Sequence, residues 1–158
     1  MSKILSIIKD PDPRLRKKSV ELEKDNLKTE EFKTLCQDMM STMQAKDGIG
    51  LAAPQIGQNI RLIAINIKDG AVCLINPKIK HASWSKEWDE EGCLSIPHTF
   101  GKVKRPKSIT CTFLNLEGKK NKIRAKGLLA RVIQHEIDHL DGILFIDKAK
   151  DIKRVREM

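Results

Sequence analysis

Apolar residues recur along this chain in two rhythms. In "DNLKTEEFKTLCQDMMSTMQAKDG", residues 25–48, Phe32, Leu35, Met39, Met40 and Met43 recur at helical spacing, acidic residues gather early, and Gly48 follows as a stop. This predicts an amphipathic helix of about five turns whose methionines fill core space. β-Branched and apolar runs come next. "IRLIAINI" (60–67) and "AVCLINPKIK" (71–80), separated by "KDG", predict a hairpin, and "KSITCTFLNLEGKKNKIRA" (107–125), alternating about "LEGKK", predicts a second. "GLLARVIQHEIDHLDG" (127–142) returns to helical rhythm and ends at Gly142. "DKAKDIKRVREM" is expected to be a short charged tail able to form a helix. A helix, several antiparallel strands and a second helix make an α+β fold. With 158 residues and no linker, repeat or low-complexity tract, a single domain over residues 1–158 is expected.

The second helix carries the chemistry. Advancing about 100° per residue places His135, His139 and Glu136 inside the apolar arc formed with Leu128, Val132 and Ile133, while Arg131, Gln134, Asp138 and Asp141 fall on the opposite, polar side. Two imidazoles and a carboxylate on a buried face must be satisfied, because an unpaired buried polar group costs about 1–3 kcal/mol. A divalent cation satisfies all three. In H-E-x-x-H, two histidines one turn apart reach one ion and the glutamate stands beside it to take a proton from water. A catalytic centre of this kind takes three protein ligands. His81, His98, Asp138 and the cysteines are candidates for the third. Cys93 stands out, in "EEGCLSIP", a segment suited to a strand edge close to a ligand. Cys36, Cys73 and Cys111 read as buried small hydrophobes.

Charge and cysteine usage narrow the setting. The four cysteines have no paired spacing, and the N-terminal "MSKILSIIKDPDPRLRKKS" has too short an apolar stretch for a signal peptide, so free thiols and a cytoplasmic location are expected, with no membrane span. The net charge is +9, and from Lys102 to Lys126 nine basic residues face only Glu117. Such an excess favours polyanions. An RNA-binding module with a structural metal is a rival reading, but 4% aromatic residues and no Tyr leave little to stack bases. Specific DNA binding is not expected.

"GIGLAAPQIG" (48–57) holds three glycines, two alanines and a proline, so its backbone can approach a ligand closely, and Gln55 adds a side-chain amide. It lacks the Lys and Ser/Thr of a P-loop and does not match G-x-G-x-x-G. Taken together, "GIGLAAPQ" (48–55), "EGCLS" (91–95) and "QHEIDH" (134–139) resemble the three signature motifs of the peptide deformylase family, in the same order and over most of the chain.

That resemblance implies antiparallel β-sheets wrapped around a central metal-binding helix, with a long N-terminal helix. It implies a cytoplasmic hydrolase of protein biosynthesis that removes the formyl group from N-formylmethionyl peptides. One divalent ion, Fe2+ or Zn2+, would be held by Cys93, His135 and His139, and water activated on it would be the nucleophile. Glu136 would be general base and acid, with Gln55 and the Leu94 N–H as donors to the developing oxyanion. Gly48, Ile49, Gly50 and Gly92 would pair with an extended peptide, and Ile49, Leu128, Val132 and the stem of Arg131 would line the methionine pocket. After "LSIP" this chain has His98, Thr99 and Phe100 where many relatives carry a charged or amide-rich stretch. The basic residues from Lys102 to Lys126 and "KRVR" (153–156) make the ribosome surface an expected partner. A zinc peptidase of the H-E-x-x-H type is the alternative; it would cut internal peptide bonds.

Overall fold

The computed structural model describes residues 2–156. Helix α1 spans Glu30–Ala45, later than the predicted start because residues Lys24–Lys28 form a separate 3-10 turn. Thr29 breaks the two apart with an extended backbone and caps α1, its hydroxyl accepting from the Phe32 N–H at 3.2 Å. Strands β1 (Gly50–Ala52), β2 (Leu62–Ile67) and β3 (Gly70–Ala82) follow. Then come β4 (Lys86–Cys93), β5 (Ile96–Pro106), β6 (Ser108–Leu114) and β7 (Lys120–Lys126). Helix α2 covers Gly127–Leu140, and β8 covers Lys150–Arg154.

Both predicted hairpins are present, as β2–β3 and β6–β7, in an antiparallel five-stranded sheet of order β1-β2-β3-β6-β7. β2 is apolar and buried from Leu62 to Ile65 because both faces are covered there. Leu62 and Ala64 pack under α1 with Phe32, Cys36, Met39 and Met43, while Ile63 and Ile65 pack under α2 with Ile133, Ile137 and Leu140. The second sheet, of order β4-β5-β8, is antiparallel too. Two expectations change here. The charged tail is a strand, not a helix: Lys150–Arg154 pairs along β5. The basic stretch from Lys102 to Lys126 is also not one surface, since Lys102 and Lys104 lie on β5 while Lys120, Lys122, Arg124 and Lys126 lie on β7 of the other sheet.

Helix α2 lies between the sheets and is buried nearly all round, which overturns the expected polar face. Arg131 and Gln134 are only 6% and 7% exposed. Their side is covered by β4 and β5: Gln134 donates to the Pro106 carbonyl, and Arg131 to the carbonyls of Val103 and Glu87. The helix ends where Leu140 O accepts from the Ser19 N–H and Arg61. Gly142 follows at φ +75, and a Cβ there would run into the backbone of Arg16. No helix among the described residues is long and apolar enough to cross a membrane.

Candidate metal centre

Two separate elements bring Cys93, His135 and His139 together. Cys93 ends β4 at a two-residue turn, and the histidines project from one face of α2. One ligand atom from each lies within 4.8 Å of the others. Cys93 Sγ is 3.3 Å from His139 Nε2. A tetrahedral ion with bonds of about 2.3 Å to sulfur and about 2.05 Å to nitrogen separates such atoms by about 3.5 Å. The donor set therefore fits a cation. The other third-ligand candidates fall elsewhere: His81 lies on the outside of the five-stranded sheet, His98 at the cavity rim, and Asp138 pairs with Arg105 at 2.9 Å.

Each histidine is held differently. His135 Nδ1 lies 2.9 Å from Glu91 Oε1, which leaves Nε2 to face Cys93, and Phe145 stacks behind the ring. Glu91 is itself clamped by both Arg105 (2.6 and 2.9 Å) and Arg131 (2.6 Å). Burial works against its charge, but Arg105 and His135 outweigh burial and hold the carboxyl down to about 2. Burial likewise opposes a charge on His135, yet its contacts with Cys93 and Glu91 and the charge of Glu136 push it up to about 10. His139 goes the other way: burial, with His135, Arg105 and Arg16 nearby, holds it well below its ordinary value. The cluster thus favours a positive charge beside Cys93 and keeps His139 neutral, conditions that a divalent cation with imidazole ligands meets.

Glu136 is 4% exposed, and its Oε1 has no protein partner; His139 Nδ1 is also unpaired. Burial pushes the Glu136 carboxyl up to about 7, partly offset by the charge of His135. β1 passes so close that a Cβ on Gly50 would come within 2.5 Å of Glu136 Oε2, so this position needs glycine. Gln55 is fixed in orientation. Its Oε1 accepts from the Ala52 N–H at 2.9 Å, which turns Nε2 toward Ser95 Oγ (3.1 Å) and Cys93 Sγ (3.5 Å).

The group opens into a cavity of about 450 Å³. Ile49, Leu128, Val132 and Arg131 line it, as do Gly48, Gly50, Gly92, Leu94, Gln55 and Glu136. Leu128 and Ile49 are 64% and 49% exposed, at the open side, whereas Val132 is buried. β1 and β4 are the terminal strands of their respective sheets. Part of the segment before β1 is already engaged: Asn66 donates to the carbonyls of Gly48 and Ile49. His98 sits at the rim at φ +58. Sequence reasoning missed Glu91, Arg105 and Ser95. The one local signal was the second acid of "EEGC", two residues before the thiol.

The polypeptide deformylase family model matches residues 4–155. The peptide deformylase of Dictyoglomus thermophilum is 47% identical over 146 residues, covering 92% of this chain and 93% of that one. Among solved structures, the peptide deformylase of Thermotoga maritima matches with a TM-score of 0.89 at 38% identity, covering 94% of this chain and 99% of that one. The class I type b peptide deformylase of Acinetobacter baumannii, bound to Met-Ala-Ser, matches with a TM-score of 0.89 at 32% identity, covering 94% and 99%. Agreement in sequence and in fold extends over nearly the whole length, and the chain belongs to the polypeptide deformylase family.

Proposed function

We propose that the cavity beside Cys93, His135, His139 and Glu136 hydrolyses the N-formyl group of N-terminal formylmethionine on newly made polypeptides, with those four residues as the working centre of a single catalytic domain. The observation that carries this reading is a thiol from β4 and two imidazoles from α2 meeting beside a buried carboxylate with an unpaired oxygen. Cys93, His135 and His139 would hold one divalent ion. A soft thiolate with two imidazoles suits Zn2+ and Fe2+ alike. When bound, such an ion supplies Lewis acidity and makes water nucleophilic near neutral pH.

The protein's own groups carry the rest. Glu136, raised to about 7, is suited to accept a proton from the attacking water and return it to the departing amine. Glu91 fixes His135 by holding Nδ1, so that Nε2 points to the centre. The Gln55 amide, aimed by Ala52, and the Leu94 N–H are the donors for the negative charge that develops on the formyl oxygen. Because β1 and β4 are terminal strands bordering one cavity, an extended peptide can add between them, along Gly48–Gly50 on one side and Gly92 on the other. Ile49, Leu128, Val132 and the stem of Arg131 are then placed to surround the methionine side chain. The A. baumannii relative binds Met-Ala-Ser, a peptide that begins with methionine. A substrate of this kind is met where chains are synthesised, in the cytoplasm.

Formate release from formyl-Met-Ala, measured beside cleavage of an unformylated internal-peptide counterpart, tests the reading. Deformylation without internal cleavage is expected. Internal cleavage without formate release would establish the peptidase alternative instead.

A further inference from the structure

We propose that the outer face of β3, β6 and β7 docks the phosphodiester backbone of a folded RNA. This face is the continuation of the one that α1 covers. The row Leu62, Ile75, Leu114 starts under the helix, but the next rows run out from under it. Cross-strand register then places Lys78, Thr112 and Lys122 in one row, His81, Thr110 and Arg124 in the next, and Ser108 with Lys126 beyond them. The basic side chains here are exposed, and the hydroxyl residues between them are half-buried. The alternate residues, Ile109, Cys111, Ile123 and Ala125, turn inward against α2.

The face is cationic and nearly free of acids. Two adjoining depressions of about 630 and 520 Å³ lie on it, and Lys24 and Lys80 border the first. Glu21 is the one acid lining them, and its contact with Lys78 at 3.2 Å is the face's one ion pair among the described residues. Same-side residues along a strand repeat at about 6.8 Å, so β7 presents a regular file of cations beside the β6 hydroxyls. Phosphate oxygens accept from both kinds of donor. No exposed aromatic side chain lies on these rows, which excludes base stacking across the face and points to backbone recognition. At the end of β3, however, Trp84 is 100% exposed, one residue beyond Ser83 on the rim of the second depression. A lone indole beside a cationic groove suits one unpaired base next to a helical stem. A lipid surface would call for more apolar groups than this single ring. The inference does not depend on the catalytic assignment, because none of these residues borders the metal centre.

The test is binding of a fluorescent RNA hairpin with a single-stranded loop to the full chain over a range of salt. Neutralising about six phosphates gives a log–log salt slope near −4 to −5. The triple variant Lys78→Ala, Lys122→Ala, Arg124→Ala should make that slope shallower by about 2 to 3 units. Binding should quench tryptophan emission of the unmodified chain, and Trp84→Phe should remove that quenching. Formate release from formyl-Met-Ala should be unchanged in every variant, which also reports correct folding. The proposal is overturned if the hairpin does not bind, if the triple variant keeps the full slope, or if phosphatidylserine vesicles bind in place of the hairpin.

Discussion

Helix α2 buries polar groups on two sides, and the two sides are resolved in opposite ways. Toward β4 and β5, Glu91, Arg105, Arg131, Asp138 and one nitrogen of His135 form a closed set in which guanidinium groups meet carboxylates at 2.6 to 2.9 Å. Toward the cavity, Glu136 Oε1 has no protein partner, and Cys93 Sγ, 3.3 Å from His139 Nε2, shares that cavity. The first set stabilises a geometry. The second leaves capacity for something that is not protein. Buried polarity alone therefore does not mark a reactive site; incomplete pairing inside a cavity does.

Changing one side at a time separates the roles. On the open side, Glu136→Gln should lower kcat by about 10²–10⁴ while metal content and stability hold, since only proton transfer is removed; metal analysis beside formate-release kinetics checks this, and loss of the ion would mean that Glu136 is structural. On the closed side, Glu91→Gln leaves the buried guanidinium of Arg131 without an anion and that of Arg105 with Asp138 alone. A loss of about 3–5 kcal/mol in denaturant unfolding is expected, with metal affinity weaker by about 10–100-fold as His135 loses its anchor. Replacing Glu91, Arg105 and Arg131 together by Leu, Met and Leu should restore much of that stability without restoring affinity, which sharpens the contrast. Gln55→Leu, again on the open side, should cost about 10²–10³ in kcat with smaller change in KM. The smallest effect belongs to Lys148→Ala. Its contact with Asp138 at 3.0 Å is on a side chain 44% exposed, so thermal unfolding should register at most about 1 kcal/mol.

The open side was readable from sequence because its information is local. His135, Glu136 and His139 share a helical face, and "EGCLS" and "GIGLAAPQ" are short segments. The β2–β3 and β6–β7 hairpins were readable because alternation or continuous apolarity gave them away. The closed side was not. The inward row of β5 is Ile96, Thr99, Gly101, Val103 and Arg105, a series too polar to announce a buried strand. Its partner β4 begins with "KEWDEE", which reads as solvated. Only the tertiary contact of Arg105 with Glu91 and Asp138 makes that polarity fit, and the same contact turned the supposed solvent face of α2 into an interior one. The tail failed for a related reason: Lys150–Arg154 is exposed throughout, and its strand form depends on pairing with β5.

Metal-edge X-ray absorption on anaerobically purified protein tests the central claim most directly. One ion per chain is predicted, with one sulfur at about 2.3 Å and two imidazole nitrogens at about 2.0–2.1 Å, the sulfur shell disappearing in Cys93→Ser. A shell of nitrogen and oxygen alone in the unmodified protein, or a sulfur shell that survives loss of Cys93, would contradict it.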